Sequence, residues 1–437
     1  MKYFSIIFVV VMLFAEVSIS FAQINWTRQN GGDPVLDPGP SGAWDDEFAG
    51  GPSILFDGNI YHMWYFGRNG IQRIGYAWSS DGISWQKYND PNTTDSLFAE
   101  SDPVLNPGDP GEWDDEQATA PSVILIDNSY HMWYRGRDLP GGASPASIGH
   151  ATSNDGIRWE KDTLNNPVLS PGPPGRWDAG WIGYPSIVFD GTNYHMWYSA
   201  SDGFSTHIQI GHATTSHPDS AWIKDLYNPV LSYGISVSWD YPRVDHPNVI
   251  YDGNIFHMWY SGGEVFAWKI GYATLSHPDS NWIKFPNFVL NLGEPGSWED
   301  TWVGACSVIP DNTNSIYKMW YTGGNAVWDG HIGYATAPVV GIKVLDVNLP
   351  NDYMLHQNYP NPFNPTTNIQ FSIPKSEFVT LKIYNILGEE VVTLVSERLT
   401  AGSYKYDWDA SGLASGVYLY SIKAGDHVDS KKMILLR

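Results

Sequence analysis

Five copies of one sequence pattern follow each other along the chain and constrain its fold more than any other feature. Each copy has an apolar run, a turn rich in Asp, Asn and Gly, and a run close to Tyr-His-Met-Trp-Tyr. Their starts lie about 60 to 70 residues apart, which is short for a domain but enough for one four-stranded sheet. The sequence therefore predicts an all-β, five-bladed β-propeller. The copies, called repeats 1 to 5, occupy 52–65, 121–134, 185–198, 247–260 and 306–321.

Each repeat divides into four strand-like runs, A to D, separated by turn residues. In repeat 2 the runs are 121–126, 130–135, 147–152 and 157–161. Repeat 5 has no run D, but residues 24–28 and 33–36 near the start of the chain have the same character. We therefore expect the N-terminal strand to complete the fifth blade and leave no long unpaired edge.

Composition excludes some partners. The net charge is −23 and the pI about 4.7, so nucleic acid and acidic membranes are unsuitable partners, because binding either needs clustered Lys and Arg. No cofactor is expected, although a structural calcium ion is compatible with the charge. The single cysteine, Cys306, is expected to be a buried apolar residue rather than a nucleophile.

Residues 1–22 have the features of a secretory signal peptide. Lys2 supplies a positive start, residues 4–14 are almost all apolar, and Ser20-Phe21-Ala22 is a suitable cleavage site. The apolar run is too short to span a membrane. Export is therefore expected for the mature chain, which begins near residue 23.

The tail after residue 338 has a different character. Residues 339–352 are expected to be a linker with one strand, and residues 353–437 a small immunoglobulin-like β-sandwich of alternating strands. The motif QNYPNPFNP at 357–365 resembles the opening of the type A C-terminal sorting domain of the type IX secretion system. That resemblance implies a Bacteroidota-like source, passage through the periplasm and across the outer membrane by the type IX machinery, and removal of the tail. The product would be secreted or held at the cell surface.

The region 24–338 resembles the five-bladed glycosidase superfamily that includes glycoside hydrolase families 32, 43, 62 and 68. The resemblance lies in the five repeats, the N-terminal closure, the proline that opens run A, and Ser-Ser-Asp-Gly-Ile-Ser-Trp at 79–85. It implies an oligosaccharide or polysaccharide partner and catalytic carboxylates at the start of run A, near the ring axis. The acids expected before that proline in repeats 1 to 3 are missing, and Gly51, Ala120 and Tyr184 stand there.

Residues that recur in every repeat are expected to be scaffold, and residues unique to one repeat are candidates for chemistry. His62, His131, His195 and His257 occupy one recurring position, with Lys318 in the fifth, so we expect no metal there. The acid that follows a recurring Trp before run A is expected to cap a turn. The connections at the start of run A and after run B vary in length and sequence, which places the functional face at that end.

Asp245 is the only acid within two residues of a run A start, and we expect it to act as base or nucleophile. Glu47 and Glu116, specific to repeats 1 and 2, are the candidate proton donors. Arg135, Phe266, Trp268 and Trp328 are further candidates for contacts with sugars. The main substrate-binding candidates are Arg243, His246, Tyr184, Trp181, Trp302, Arg68 and Arg137.

Two functions remain open at this stage. The first is a secreted glycoside hydrolase acting on extracellular polysaccharide, favoured by Asp245-His246 and the asymmetric loops. The alternative is a non-catalytic glycan-binding or surface-interaction propeller, favoured by the missing acids in repeats 1 to 3.

Overall fold

The chain is nearly all β in the residues that the structure describes. This structure is a computed structural model, and it describes residues 26–138, 145–264, 267–276, 281–325, 329–338, 342–346, 352–375, 377–399 and 402–436. Its helical segments there are the short 3-10 turns Asn30–Gly32 and Ser96–Phe98. None of the described helices has the length and apolar character that crossing a bilayer requires. The expected signal peptide lies outside the described residues.

Ile24–Pro338 forms one compact unit, and a second unit includes Val339–Arg437. The strands of the first unit are β1 (Thr27–Arg28), β2 (Phe48–Phe56), β3 (Tyr61–Asn69), β4 (Ile71–Ser79), β5 (Gln86–Lys87), β6 (Pro103–Leu105), β7 (Gln117–Ile126), β8 (Ser129–Arg137), β9 (Ser147–Ser153), β10 (Glu160–Lys161), β11 (Trp181–Phe189), β12 (Tyr194–Ser201), β13 (Gln209–Thr215), β14 (Ile223–Lys224), β15 (Val244–Tyr251), β16 (Phe256–Gly262), β17 (Lys269–Leu275), β18 (Ile283–Lys284), β19 (Trp302–Asp311), β20 (Ile316–Gly324) and β21 (His331–Pro338).

These strands pair in antiparallel order within each repeat. β11 to β14 form one four-stranded sheet and β15 to β18 another. The strands of repeats 1 and 2 pair in the same order and are joined into one larger sheet by a parallel bridge between Gln72 and Gln117. In the last sheet β19, β20 and β21 come from repeat 5, and β1 pairs with β21, placing Thr27 opposite Thr336.

The first strand of each repeat begins three or four residues before the proline at which we expected it to start. In repeat 4, for example, β15 already pairs with β16 at Val244 and Asp245, and pairing resumes at Asn248. Proline has no N–H for the ladder, so it is accommodated in a β-bulge inside the strand rather than at its end. Gly51, Ala120, Tyr184 and Asp245 therefore lie within strands, whereas Glu47 and Glu116 each stand one residue before a strand.

A cycle of hydrogen bonds joins the five first strands. The side chain after each proline, or after Cys306 in repeat 5, accepts a backbone N–H from the next repeat, and repeat 5 accepts from repeat 1. We call these acceptors the Ser/Asn ring. Its bonds are Val123 N–H to Ser53, Ile187 N–H to Ser122, Val249 N–H to Ser186, Val308 N–H to Asn248, and Ile54 N–H to Ser307, at 2.9 to 3.2 Å.

A buried carboxylate in front of each first strand pairs with a cation from the outermost strand of its sheet. We expected these acids to cap turns, but their main partners are lysines at 2.6 to 2.7 Å. In the last sheet Glu299 instead accepts from Arg28 of β1. Repeat 5 therefore replaces an Asp–Lys pair by a Glu–Arg pair. The lysine pairs are Asp45–Lys87, Asp114–Lys161, Asp178–Lys224 and Asp240–Lys284.

The recurring histidines are buried and hydrogen-bonded to the neighbouring strand. The ring Nδ1 of His62 and of His257 contacts a tyrosine hydroxyl at 2.7 and 2.6 Å. In repeats 2 and 3 a second histidine replaces that tyrosine, and the nitrogen–nitrogen distance is 3.0 Å in both pairs. The tyrosines are Tyr76 and Tyr272, and the histidine pairs are His131–His150 and His195–His212.

The second unit consists of two four-stranded sheets that enclose one apolar core. Within the segment expected to be a linker, residues 342–346 form a strand paired with this unit, next to 402–409. Asn358 of the QNYPNPFNP motif is buried, and its amide donates to Thr367 at 2.9 Å. The strands are β22 (Ile342–Asp346), β23 (Met354–Leu355), β24 (Thr366–Ile373), β25 (Glu377–Tyr384), β26 (Glu390–Leu399), β27 (Gly402–Asp409), β28 (Gly416–Ala424) and β29 (His427–Leu435).

Replacing Arg28 by Ala should destabilise the first unit. Glu299 is 2% exposed, and burial raises its pKa while Arg28 opposes that shift. Loss of the guanidinium leaves a buried carboxylate uncompensated, which costs about 3–5 kcal/mol. Arg28→Lys should lose much less, since lysine fills this role in repeats 1 to 4. The free energy of unfolding from urea titration, followed by Trp fluorescence, measures both, with exposed Thr27→Ala as control. Equal midpoints for Arg28→Ala and wild type would contradict the pairing.

The stability of the first unit should fall as the pH drops from about 6.5 toward 4. Burial, helped by His195 and opposed by Asp225, lowers the pKa of His212 to about 4 from its ordinary value of 6.5. The unfolded chain therefore binds a proton in this interval that the folded chain excludes, which lowers the unfolding free energy by about 3 kcal/mol. This contribution is fully present above pH 6.5.

His212→Tyr is the matched variant, because Tyr76 and Tyr272 occupy the same position in repeats 1 and 4. Urea titrations at pH 7 and pH 4.5, with a chelator present, should give a smaller pH-dependent loss for His212→Tyr than for wild type. If the two proteins lose the same free energy, His212 is not the titrating group.

Candidate functional site

The bulge in each first strand directs the residue before the proline toward a common cavity. That residue has a positive φ in all five repeats, between 43° and 56°. Positive φ is uncommon for residues other than glycine and concentrates at functional sites. The cavity, about 50 Å³, is lined by these residues and the two that follow each of them, except that in repeat 5 only Cys306 follows Ala305 in the lining. The five residues are Gly51, Ala120, Tyr184, His246 and Ala305.

Asp245 lies beside this cavity and is 3% exposed. One carboxylate oxygen accepts the N–H of His246 at 2.8 Å, and the other is 3.6 Å from the Nδ1 of His246. Burial lowers the pKa of His246, and Asp245 opposes that shift. The arrangement therefore places a buried carboxylate next to a buried, neutral imidazole.

Arg135 of repeat 2 approaches the same cluster from the other side. Its guanidinium carbon is 5.3 Å from the ring centre of Trp181 and 5.8 Å from that of Tyr184, within cation–π range. Burial lowers the pKa of Arg135, while Tyr184, Asp245 and Glu116 oppose the shift. Its Nε is buried and has no hydrogen-bond partner among the described residues, so the group has an unused donor.

Aromatic rings continue from Tyr184 across the remaining repeats. Tyr184 meets His246 edge-on at 4.0 Å, and His246 lies 5.3 Å from Trp268. Trp268 contacts Trp302 at 5.9 Å, and Phe48 stacks between Trp302 and Phe66 at 6.3 and 4.8 Å. We call this series the aromatic arc. It consists of Trp181, Tyr184, His246, Trp268, Trp302, Phe48 and Phe66.

One recurring position lies directly after the last Tyr of the second strand of each repeat. Three repeats have a hydroxyl residue there, and the other two have Phe66 and Arg135. In repeats 3 and 4 the position holds Ser199 and Ser261, which accept the N–H of His246 and Ala305. Thr322 accepts from Gly51 in the same way. Repeats 1 and 2 have Phe66 and Arg135 there instead. Arg135 was a predicted candidate, and comparison of the five copies at this position would also have identified Phe66 from the sequence.

The structure does not group all the predicted site residues. It brings Asp245, His246, Tyr184, Trp181 and Trp302 together. Glu47 and Glu116 instead form ion pairs with arginines at the ends of their own second strands. The pairs are Glu47–Arg68 at 3.0 Å and Glu116–Arg137.

The remaining predicted residues make other contacts or lie outside the described part of the chain. Arg243 was expected to flank Asp245, and its Nε donates to the carbonyl of Thr206 at 2.7 Å. Cys306 is buried and lines the cavity, and burial raises its pKa to about 12, so it is no nucleophile at neutral pH. Phe266 and Trp328 lie outside the described residues.

Comparison with known proteins identifies a domain in the second unit and shows what the fold of the first resembles. Residues 357–436 match the secretion system C-terminal sorting domain, so the chain carries such a domain. It indicates secretion by the type IX system to the cell surface or exterior. The structural neighbours of the chain are glycoside hydrolases of propeller-type families, which agrees with a propeller glycosidase joined to a type IX sorting tail.

Two solved structures illustrate the likeness. One is a glycosyl hydrolase from Bacteroides ovatus, with a TM-score of 0.54 and 16% identity, covering 72% of this protein and 94% of the other. The second comes from work on the family of mannoside phosphorylases that contains glycoside hydrolases targeting β-1,2 mannosidic linkages in Candida mannan. It also has a TM-score of 0.54 and 16% identity, covering 72% and 94%. At this identity the likeness concerns the fold.

Curated relatives align with the chain over less than half of their own length. One is a β-1,2-mannobiose phosphorylase from Thermoanaerobacter sp., 25% identical over 118 residues, which are 24% of this chain and 34% of that protein.

Proposed function

We propose that Ile24–Pro338 is a five-bladed β-propeller that binds an extracellular glycan at its axis and cleaves a glycosidic bond there. The five-membered Ser/Asn ring supports the blade number, because each acceptor belongs to a different repeat and the last bond returns to the first. The pairing of β1 with β21 supports closure of the fifth blade by the N-terminal strand. The second unit is then the immunoglobulin-like sorting domain, and residues 1–22 are the export signal.

The main support for a glycan site is that the fivefold repetition of the sequence breaks down around the cavity. Tyr184 and His246 stand at a position where the other three repeats have Gly or Ala. Three of the other four repeats have Gly at the position of Asp245, and three have Ser or Thr at that of Arg135. A repeated scaffold needs only one residue type at such a position, so the convergence of four exceptions favours a ligand. Aromatic planes, a cation with an unused donor and a buried carboxylate are the groups with which proteins bind and cleave sugars.

Each group has a proposed role. The partly exposed members of the aromatic arc, Trp181, Tyr184 and Trp268, offer stacking faces for sugar rings, while its other members are buried. Arg135 donates to a hydroxyl or carboxylate of the sugar. Asp245 acts as base or nucleophile, and Glu116 is the better of the two candidate proton donors, because it also acts electrostatically on Arg135. The cavity is much smaller than the roughly 300–1,000 Å³ of ordinary ligand sites. We therefore expect the sugar to lie over the arc and not inside the cavity.

A non-catalytic glycan-binding propeller is the second candidate. The ion pairs of Glu47 and Glu116 favour it, because hydrolysis needs two carboxyl groups about 5–9.5 Å apart on either side of the scissile bond. A carboxylate held by an arginine must leave that partner before it can serve as a proton donor.

A panel assay separates the two candidates. The secreted protein is incubated with plant, algal and fungal polysaccharides and with β-1,2-mannosides, each with and without inorganic phosphate, since one relative is a phosphorylase. New reducing ends or sugar phosphates indicate catalysis. Retention of the protein on an unaltered polysaccharide indicates binding alone.

Asp245→Asn should lower kcat by about 10²–10⁴-fold while Tm changes little, because Asn is nearly isosteric and removes only the acid–base or nucleophilic capacity. Arg135→Ser should mainly raise KM or weaken binding, since serine is the scaffold residue of repeats 3 and 4. Glu160→Gln, which changes an exposed acid of β10, is the control for loss of a carboxylate in general. Full turnover by Asp245→Asn would exclude its catalytic role, and unchanged glycan binding by Arg135→Ser would remove the proposed binding site.

A further inference from the structure

Repeat 2 contains a histidine cluster that departs from the arrangement in the other repeats. Atoms of His131, His150 and Asp219 that can bind a metal ion all lie within 4.8 Å of one another. His131 and His150 are buried on adjacent strands of repeat 2, and Asp219 is exposed between β13 and β14 of repeat 3. The cluster therefore joins two neighbouring sheets.

In repeats 1, 3 and 4 the second ring nitrogen of the recurring histidine, Nε2, has a hydrogen-bond partner. His62, His195 and His257 contact the Asp of their own hairpin turn through Nε2, at 3.0 to 3.2 Å. The turn of repeat 2 is shorter, with Asp127 and Asn128 both at positive φ. A bond between Asp127 and His131 is not found within the described part of the chain. His131 therefore lacks the carboxylate that fixes its counterparts.

One ring nitrogen of His150 is unsatisfied. The residue is 1% exposed, and its Nδ1 has no hydrogen-bond partner among the described residues. The corresponding nitrogen of His212 in repeat 3 faces Asp225 at 3.4 Å. A buried polar atom without a partner is costly, which points to a ligand or ion at this place.

The loop that carries Asp219 has also changed. The corresponding loops of repeats 1 and 2 place a glycine carbonyl on the Trp of the preceding repeat: Gly82 accepts from Trp320 and Gly156 from Trp64, both at 2.7 Å. In repeat 3 the loop reads Ser-His-Pro-Asp-Ser at 216–220, and the indole nitrogen of Trp133 has no such partner in the described residues. The substitution exchanges a scaffold bond for a carboxylate beside two histidines.

We propose that His131, His150 and Asp219 bind a divalent transition-metal ion, best matched by zinc, that links repeats 2 and 3. Two imidazoles and a carboxylate form a ligand set that zinc accepts in tetrahedral geometry, with solvent in the fourth position. Two ligands of one tetrahedral zinc ion, at bonds of about 2.0–2.1 Å, lie roughly 3.3 Å apart, and the three ligand atoms of this cluster already lie within 4.8 Å of one another. Because Asp219 is on an exposed loop, it can complete the set.

A stabilising role follows from the position of the site. The chain has a single cysteine, so no intrachain disulfide can stabilise the exported protein. An ion held by strands of one repeat and a loop of the next would cross-link them, and it would stabilise the folded protein by mass action. This proposal does not depend on the glycan site.

The test uses the whole secreted chain, stripped with a chelator and titrated with Zn²⁺ in a calorimeter and with Co²⁺ in the visible spectrum. We expect one ion per chain, tetrahedral cobalt absorption bands and a rise in Tm with zinc. His150→Tyr places the Tyr of repeats 1 and 4 in repeat 2, so the fold should persist while zinc affinity falls at least about 100-fold. Asp219→Asn should weaken binding as well.

His212→Tyr is the control, because it makes the same exchange in the pair of repeat 3, whose outer nitrogens already face Asp190 and Asp225. The variant should keep the ion. The control matters because the loop sequence that contains Asp219, Ser-His-Pro-Asp-Ser, recurs at 276–280 in repeat 4, the repeat that follows the histidine pair of repeat 3. Absence of stoichiometric binding by wild type, undiminished binding by His150→Tyr, or equal loss in His212→Tyr would each overturn the assignment.

Discussion

The Ser/Asn ring is the interaction on which the first unit depends. Each bond satisfies a backbone N–H that lies close to a bulge, where the pairing of the strands is interrupted. A buried N–H left without an acceptor costs about 1–3 kcal/mol. Because the fifth bond returns to repeat 1, each of the five first strands is positioned by both of its neighbours. Four repeats use Ser and one uses Asn248, so the requirement is for a short side-chain acceptor after the bulge.

The candidate site lies where the same construction is relaxed in two repeats. A second set of hydroxyls, from Ser199, Ser261 and Thr322, also ties the bulges of repeats 4, 5 and 1 to the preceding repeat. Repeats 1 and 2 give up that tie, and Phe66 and Arg135 extend toward the cavity instead. The ring of acceptors deeper in the strand keeps the bulges in place. The scaffold can therefore lose two of these outer bonds and gain an apolar surface and a cation in exchange.

Much of this organisation was predictable from the sequence, because strand alternation and turn residues are local signals. The β character, the paired runs and the strand-like N-terminal segment follow from the pattern. The start of the first strands was misplaced, since a proline reads as a strand boundary whereas here it is absorbed by a bulge. The ion pairs of Glu47 and Glu116 were missed because they join a loop to the far end of the next hairpin. The lysine partners of the Trp-associated acids were not predicted for the same reason, since they lie more than 40 residues away.

Departures from repetition carry different information in the core and at the cavity. Replacing Asp–Lys by Glu–Arg in repeat 5 preserves a buried ion pair with a longer acid and a planar cation, so it is a compensated scaffold change. The exchange of Tyr for His at His212 is compensated too, because Asp225 and Asp190 face the outer nitrogens of that pair. At His150 and Arg135 the exchange leaves a buried nitrogen with no partner among the described residues. A repeat protein gains nothing in stability from an uncompensated exchange, and these are the two positions at which we propose that a ligand binds.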